Sequence, residues 1–123
     1  MASELRVNTL KDASGNNSIA TSYVANGSAK AWVYTADTGS VRDSFNVASF
    51  TDHGTGDWQY NLTNSMSAST FPAPSTAGSF GFREVIDYAF RKSTTVMASS
   101  VGNAAGTSQL DNAVSQVAHG DLA

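Results

Sequence analysis

Residues 58–63, Trp-Gln-Tyr-Asn-Leu-Thr, constrain this chain more than any other stretch. Trp58, Tyr60 and Leu62 alternate with Gln59, Asn61 and Thr63. A period of two sends three large apolar side chains to one side of an extended backbone and three polar ones to the other. The segment is therefore predicted as a strand with one buried and one wet face. The turn-forming run Asp52-His53-Gly54-Thr55-Gly56-Asp57 precedes it. Together they predict a hairpin between residues 43–51 and 58–63. In the first arm Phe45, Val47 and Ser49 share a face, while Phe50 falls on the other. A β-bulge near Ala48 and Ser49 would bring Phe50 back into line.

The wider stretch 26–66 holds both tryptophans, Trp32 and Trp58. Asn26-Gly27 is a turn signal suited to positive φ at both positions. Residues 29–35 then alternate Ala29, Ala31 and Val33 with Lys30, Trp32 and Tyr34. Apolar area on both faces predicts a strand that is covered twice or lies at a subunit contact. Asp37-Thr38-Gly39 supplies the next turn.

Upstream, residues 4–10 read as a short strand, 12–18 as a turn and 19–24 as a second extended piece. No helix is expected there, because β-branched residues and Gly, Asn and Ser clusters disfavour one. Downstream, residues 65–78 contain both prolines and read as a mobile or contacting surface loop, with Phe71, Pro72 and Pro74 as its candidate contact residues. Residues 80–92 fit either a strand, with Phe80, Phe82, Ile86, Tyr88 and Phe90 on one face, or a helix with the stripe Phe82, Val85, Ile86 and Ala89. Alternation and aromatic content favour the strand. Residues 94–101 and 112–119 are further strands, and Val114 and Val117 point to opposite faces of the last. The expected fold is all-β: a small antiparallel β-sandwich or jelly-roll-like domain over residues 26–123, preceded by an extended peptide over residues 1–25.

Composition limits what such a domain can do. Its 123 residues make one domain, and the absence of cysteine excludes disulfides, thiolate metal sites and a cysteine nucleophile. Only 14% of residues are charged and the net charge is -3, too little basic charge for a phosphate-binding stripe. Nucleic acid is not an expected partner. No apolar run is long enough to span a bilayer as a helix, and the opening Met1-Ala2-Ser3-Glu4-Leu5-Arg6 is not a signal peptide, so export by the usual route is not expected. Ser and Thr together number 30, and leucine occurs only at positions 5, 10, 62, 110 and 122. So thin a core predicts that subunits share buried surface.

No segment carries a catalytic signature. His53, flanked by Asp52 and Asp57, could help hold a cation, but Asp and Gly serve backbone geometry in such a turn and no other ligands cluster with them. His119 reads as a solvent-facing strand residue. No serine sits in a nucleophile elbow. Glu84 and Asp87 would share a face only if their segment were helical. Trp32, Tyr34, Trp58 and Tyr60 could stack on sugars, but a chain with so few large side chains needs them in its core. No cofactor, metal or enzymatic activity is expected.

Two stretches carry a resemblance. Residues 3–18, Ser-Glu-Leu-Arg-Val-Asn-Thr-Leu-Lys-Asp-Ala-Ser-Gly-Asn-Asn-Ser, resemble the N-terminal peptide of small virion proteins of cyanophages and other marine phages. Gly27-Ser28-Ala29-Lys30-Ala31-Trp32-Val33, then Arg42-Asp43-Ser44-Phe45-Asn46-Val47, Thr51-Asp52, Gly54-Thr55-Gly56-Asp57 and the strand to Met66 resemble the body of a domain found in bacteriophage tail fibres. The C-terminal part, from Thr95 through Ala105-Gly106-Thr107 to His119-Gly120-Asp121, is similar in outline, whereas residues 71–92 depart from the pattern. The resemblance implies a structural role in a virion, as a tail fibre or fibre-like protein and a homotrimer. Leu5, Val7 and Leu10 would dock on other virion proteins, and the β-domain would face outward toward a host-surface glycan. A capsid decoration protein or head fibre is the alternative within the particle. A soluble carbohydrate-binding module is the alternative outside it.

Overall fold

The computed structural model describes residues 3–78, 83–87, 91–103 and 105–123. Two short strands, β1 (Thr9–Lys11) and β2 (Ser18–Ala20), form an antiparallel hairpin that leads into a seven-residue helix, α1 (Thr21–Gly27). The helix was not expected from its residues. Its ends are satisfied from outside it: the Thr21 amide donates to the Asn8 carbonyl at 3.0 Å, and Ser28 N–H meets the Val24 carbonyl at 3.1 Å. Lys30 Nζ donates to the Ala25 carbonyl, and His119 Nδ1 lies 3.2 Å from the Gly27 carbonyl. Orphan carbonyls at a helix C-terminus favour such donors, and here that outweighs weak local propensity. Asn26 and Gly27 therefore close a helix, and neither takes the positive φ expected of a turn.

The sandwich begins at β3 (Ala29–Thr35), followed by β4 (Val41–Phe45), β5 (Val47–Gly54), β6 (Asp57–Leu62), β7 (Ser75–Ala77), β8 (Arg83–Asp87), β9 (Val96–Asn103) and β10 (Val114–His119). Two four-stranded antiparallel sheets result, one ordered β4-β3-β10-β7 and the other β5-β6-β9-β8. The all-β sandwich expected from the sequence is the fold.

Strand β6 alternates as predicted, with Trp58, Tyr60 and Leu62 buried between half-buried neighbours. Its hairpin with β5 carries the expected bulge. Val47 opposes Leu62 while Phe50 opposes Tyr60, so three steps on one strand match two on the other. The extra residue turns both Val47 and Phe50 onto the core. Ala31, Val33, Val114 and Ala118 from the first sheet meet Trp58, Tyr60, Leu62, Met97 and Val101 from the second.

The chain changes sheets at Asn46, between β4 and β5. Asn46 is the one non-glycine among the described residues with positive φ, at 58°. Asparagine tolerates this conformation better than most side chains. Its Nδ2 donates to the Lys30 carbonyl of β3 at 3.0 Å and to the Asn64 carbonyl at 3.2 Å. The side chain thus ties the first sheet to the end of β6.

The segment 65–78 is not the mobile surface loop that its prolines and small residues predicted. Met66, Phe71 and Ala73 are buried in the core. Ser67 N–H donates to the Asp121 carbonyl, and Ala123 N–H to that of Ser65, both at 2.9 Å. The Pro72 and Pro74 carbonyls accept from the His119 and Val117 amides at 3.0 and 3.1 Å. Proline lacks only the donor, so at an edge where the carbonyl alone is used it is compatible with pairing. The run then becomes β7. Of residues 80–92, 83–87 form the predicted strand; Phe80, Phe82, Tyr88, Ala89 and Phe90 lie outside the described residues.

Polar side chains cross the interior. Tyr60 Oη lies 3.0 Å from Thr35 Oγ1 in the facing sheet and 3.3 Å from Ser99 Oγ in its own. Gln116, fully buried in β10, donates from Nε2 to the carbonyls of Ala98 in the other sheet, at 3.0 Å, and Ala73, at 3.1 Å. Buried polar groups of this kind cost stability unless partnered, so these bonds also fix how the sheets register.

Candidate functional site

The N-terminal segment is built differently from the sandwich. Every residue from Ser3 to Ile19 is exposed, and no residue of α1 is buried. The segment nevertheless holds six of the nine large apolar side chains found exposed among the described residues: Leu5, Val7, Leu10, Ile19, Tyr23 and Val24. Leu5 is 79% and Tyr23 73% exposed, values that a packed core would not leave. Leu10 pairs with Ile19 across the hairpin, so their side chains lie together on the ribbon. The three residues proposed for docking, Leu5, Val7 and Leu10, are all accessible.

The hairpin is closed by Asp12. Its Oδ2 accepts from Asn17 Nδ2 at 2.7 Å, its Oδ1 from the Asn16 amide at 3.0 Å, and its backbone carbonyl from Gly15 N–H at 3.0 Å. The Asn17 amide is the main reason the Asp12 carboxyl titrates below the usual range, with the backbone bonds adding to it. A two-stranded ribbon is marginal alone in water, and this turn is what the sequence supplies locally to hold it.

The three candidate residues of the proline-rich segment separate. Pro72 and Pro74 are exposed, but Phe71 is 5% exposed and belongs to the core. Lys92 Nζ sits 4.9 Å from the Phe71 ring centre and donates to the Phe71 carbonyl at 2.8 Å, so this ring is held in place and is not a surface contact.

Among the described residues the chemistry-bearing side chains do not converge. His53 Nε2 lies 3.0 Å from Gln59 Oε1, and His119 faces the Gly27 carbonyl. Asp52 Oδ1 accepts from the Gly54 amide at 2.9 Å, and Asp57 Oδ2 pairs with Arg91 at 2.9 Å. Among the described residues no group of three or more His, Cys, Asp or Glu could hold a metal ion. Burial holds the Tyr60 hydroxyl above its ordinary pKa, and the Thr35 and Ser99 hydroxyls only partly offset this. No helix of the described residues is long and apolar enough to cross a membrane.

Trp32, Tyr34, Trp58 and Tyr60, the candidates for stacking on sugars, divide by face. Trp58 and Tyr60 are completely buried, whereas Trp32 is half-buried and Tyr34 is 42% exposed on the outer face of the first sheet. Trp32 lies between Phe45 on β4 and Val117 on β10, and Phe45 is 54% exposed. This outward row was hidden in the sequence, where core and surface aromatics look alike. Comparison with protein-family models, with curated proteins and with solved structures finds no match.

Proposed function

We propose that this chain is a structural protein of a bacteriophage particle, a tail fibre or fibre-like protein. Its N-terminal segment attaches to other virion proteins and its β-sandwich faces the host surface. The observation that carries this reading is the segregation of exposed apolar side chains. Residues 3–27 bury nothing, yet present Leu5, Val7, Leu10, Ile19, Tyr23 and Val24, while the sandwich that follows has its own closed core. Exposed apolar clusters of this kind mark contact surfaces. Association as a homotrimer fits the same surface, which copies of the chain would cover together with the virion partner.

The test is incorporation. Particles carrying L5D, V7D and L10D together should lack the protein, while the purified variant keeps the thermal midpoint of the parent. Particles that incorporate the variant normally would count against docking by this segment. Light scattering of the purified protein should give the mass of three chains; a mass near 12.8 kDa argues against the trimer. A capsid decoration protein is the second reading, favoured by the body being one small sandwich with no shaft among the described residues. Copy number separates the two, since decoration proteins occupy every equivalent capsid position. A soluble carbohydrate-binding module would be absent from purified particles.

A further inference from the structure

A cavity of about 330 Å³ opens at one end of the first sheet, with Tyr34, Asp37 and Arg42 on its rim and Ala36, Asn112 and Ala113 in its wall. Its frame is fixed by backbone bonds. The turn from β3 to β4 is closed by Gly39 N–H to the Ala36 carbonyl at 3.0 Å and Ala36 N–H to the Ser40 carbonyl at 2.8 Å. Gly78 N–H donates to the Ala113 carbonyl at 2.8 Å, and buried Asn112 accepts the Ala113 amide through Oδ1, also at 2.8 Å.

The rim is chemically unspent. Tyr34, Asp37 and Arg42 are exposed, and none of the three side chains makes a hydrogen bond or ion pair with the described residues. Another cavity, of about 420 Å³ and lined by residues 100–103 and 106–109, differs in this respect. There Asn103 is bonded to Thr107 and Ser108, and Gln109 to Ser100, so the polar groups already satisfy one another.

We infer that this end of the first sheet is a saccharide-binding site, in which Tyr34 stacks on a sugar ring while Asp37 and Arg42 hold its hydroxyls. The inference rests on the outward-facing role proposed above and names the ligand class. The mixed charge of the rim argues against simpler ligands. A simple anion would meet Asp37, and a simple cation would meet Arg42. An apolar ligand would desolvate both charges without replacing their bonds to water. A neutral polyhydroxylated ring offers donors to the carboxylate and acceptors to the guanidinium, and an apolar face to the tyrosine. The volume suits a small ligand unit, at the lower end of ordinary binding cavities. Trp32 and Phe45 form the next row, about 7 Å along the same face. They extend the surface for a second ring, so a chain of sugars running parallel to β3 fits better than a single one.

The experiment is a printed array of bacterial capsular and O-antigen polysaccharides probed with the full-length protein, then titration calorimetry on the polysaccharides that bind. Y34A and D37A should each weaken binding about tenfold or more, and R42A should do so as well. All three residues are exposed, so the thermal midpoints should stay within a degree or two of the parent. W32A should weaken longer oligosaccharides more than short ones. No array signal, or a signal that Y34A and D37A leave unchanged, overturns the inference. Incorporation of the same variants into particles is scored in parallel. Variants that enter particles normally but no longer bind sugar support the site. Sugar binding that depends on Tyr34 in a protein absent from particles also supports it, while removing the virion reading.

Discussion

Three hydrogen bonds join Asn46 and Asn64: Asn46 Oδ1 accepts the Asn64 backbone N–H at 2.8 Å and its side-chain N–H at 3.0 Å, and Asn46 Nδ2 donates to the Asn64 carbonyl at 3.2 Å. The contact lies where the chain leaves the first sheet, and Asn46 Nδ2 reaches back to Lys30 in that sheet. One side chain therefore ties the first sheet to the segment after β6 at the point where β5 follows β4. N46A loses these bonds and forces alanine to φ 58°, and should destabilise the protein by about 3 kcal/mol. N46G removes only the bonds and should cost about 1 kcal/mol less than N46A. Urea unfolding of both variants measures the difference; equal losses would show that backbone conformation is irrelevant there.

Gly56 has no room for a side chain. A Cβ would stand 2.5 Å from the Val101 carbonyl oxygen and 2.7 Å from that of Leu110, at a φ of +65°. Its amide donates to Asp111 Oδ1 at 2.8 Å and its carbonyl accepts from Val101 N–H at 2.8 Å, so the backbone cannot shift away freely. G56A should cost about 3 kcal/mol or more. Gly106 has a similar φ of +67° with open space around it. G106A should therefore show only the conformational cost, about 1–2 kcal/mol. Thermal unfolding of the pair separates clash from strain.

Tyr60 links the sheets through Thr35 and Ser99, and burial raises its pKa. Between the ordinary tyrosine value of about 10 and the raised folded value, the unfolded chain has lost the phenolic proton and the folded one has kept it. The unfolded state then binds fewer protons, so stability falls as pH rises through that window. Y60F lacks the group and should show a flatter loss above pH about 10. At neutral pH it should be less stable than the parent by about 1–2 kcal/mol, because two buried hydroxyls lose a partner. Denaturant midpoints across the alkaline range test both statements.

Asp12 behaves in the opposite sense. Its folded pKa is depressed, chiefly by the Asn17 amide, so the folded hairpin stays unprotonated where the unfolded chain has taken up a proton. The stabilisation is present above the ordinary carboxyl value of about 3.9 and is lost as pH falls through the lower folded value. NMR titration of the Gly15 and Asn16 amides should show the turn opening in that acid window, ahead of the sandwich. N17A should move the Asp12 midpoint upward; an unchanged midpoint would remove Asn17 as its cause.

The sequence by itself determined the sandwich and the second arm of its central hairpin; the first arm, expected over residues 43–51, is Val47–Gly54, and residues 43–45 belong to β4 in the other sheet. Period-two alternation in Trp58, Tyr60 and Leu62 is a local pattern, and it survives because one face of β6 is buried throughout. The bulge between Val47 and Phe50 was legible for the same reason, since a break in alternation must be repaired by an extra residue. Only the tertiary structure decided that Phe71 is core, because the carbonyls of Pro72 and Pro74 bond to β10, a strand more than forty positions away. It alone decided that residues 21–27 are helical, since one group that meets the carbonyls at the C-terminal end is His119, from the far end of the chain. It also decided that Ala31 and Val33 are interior while Tyr34 faces outward. Both faces of that segment carry apolar area, and which face of a strand becomes interior depends on the sheet packed against it. That packing joins residues distant in the chain, and no pattern within the segment contains it.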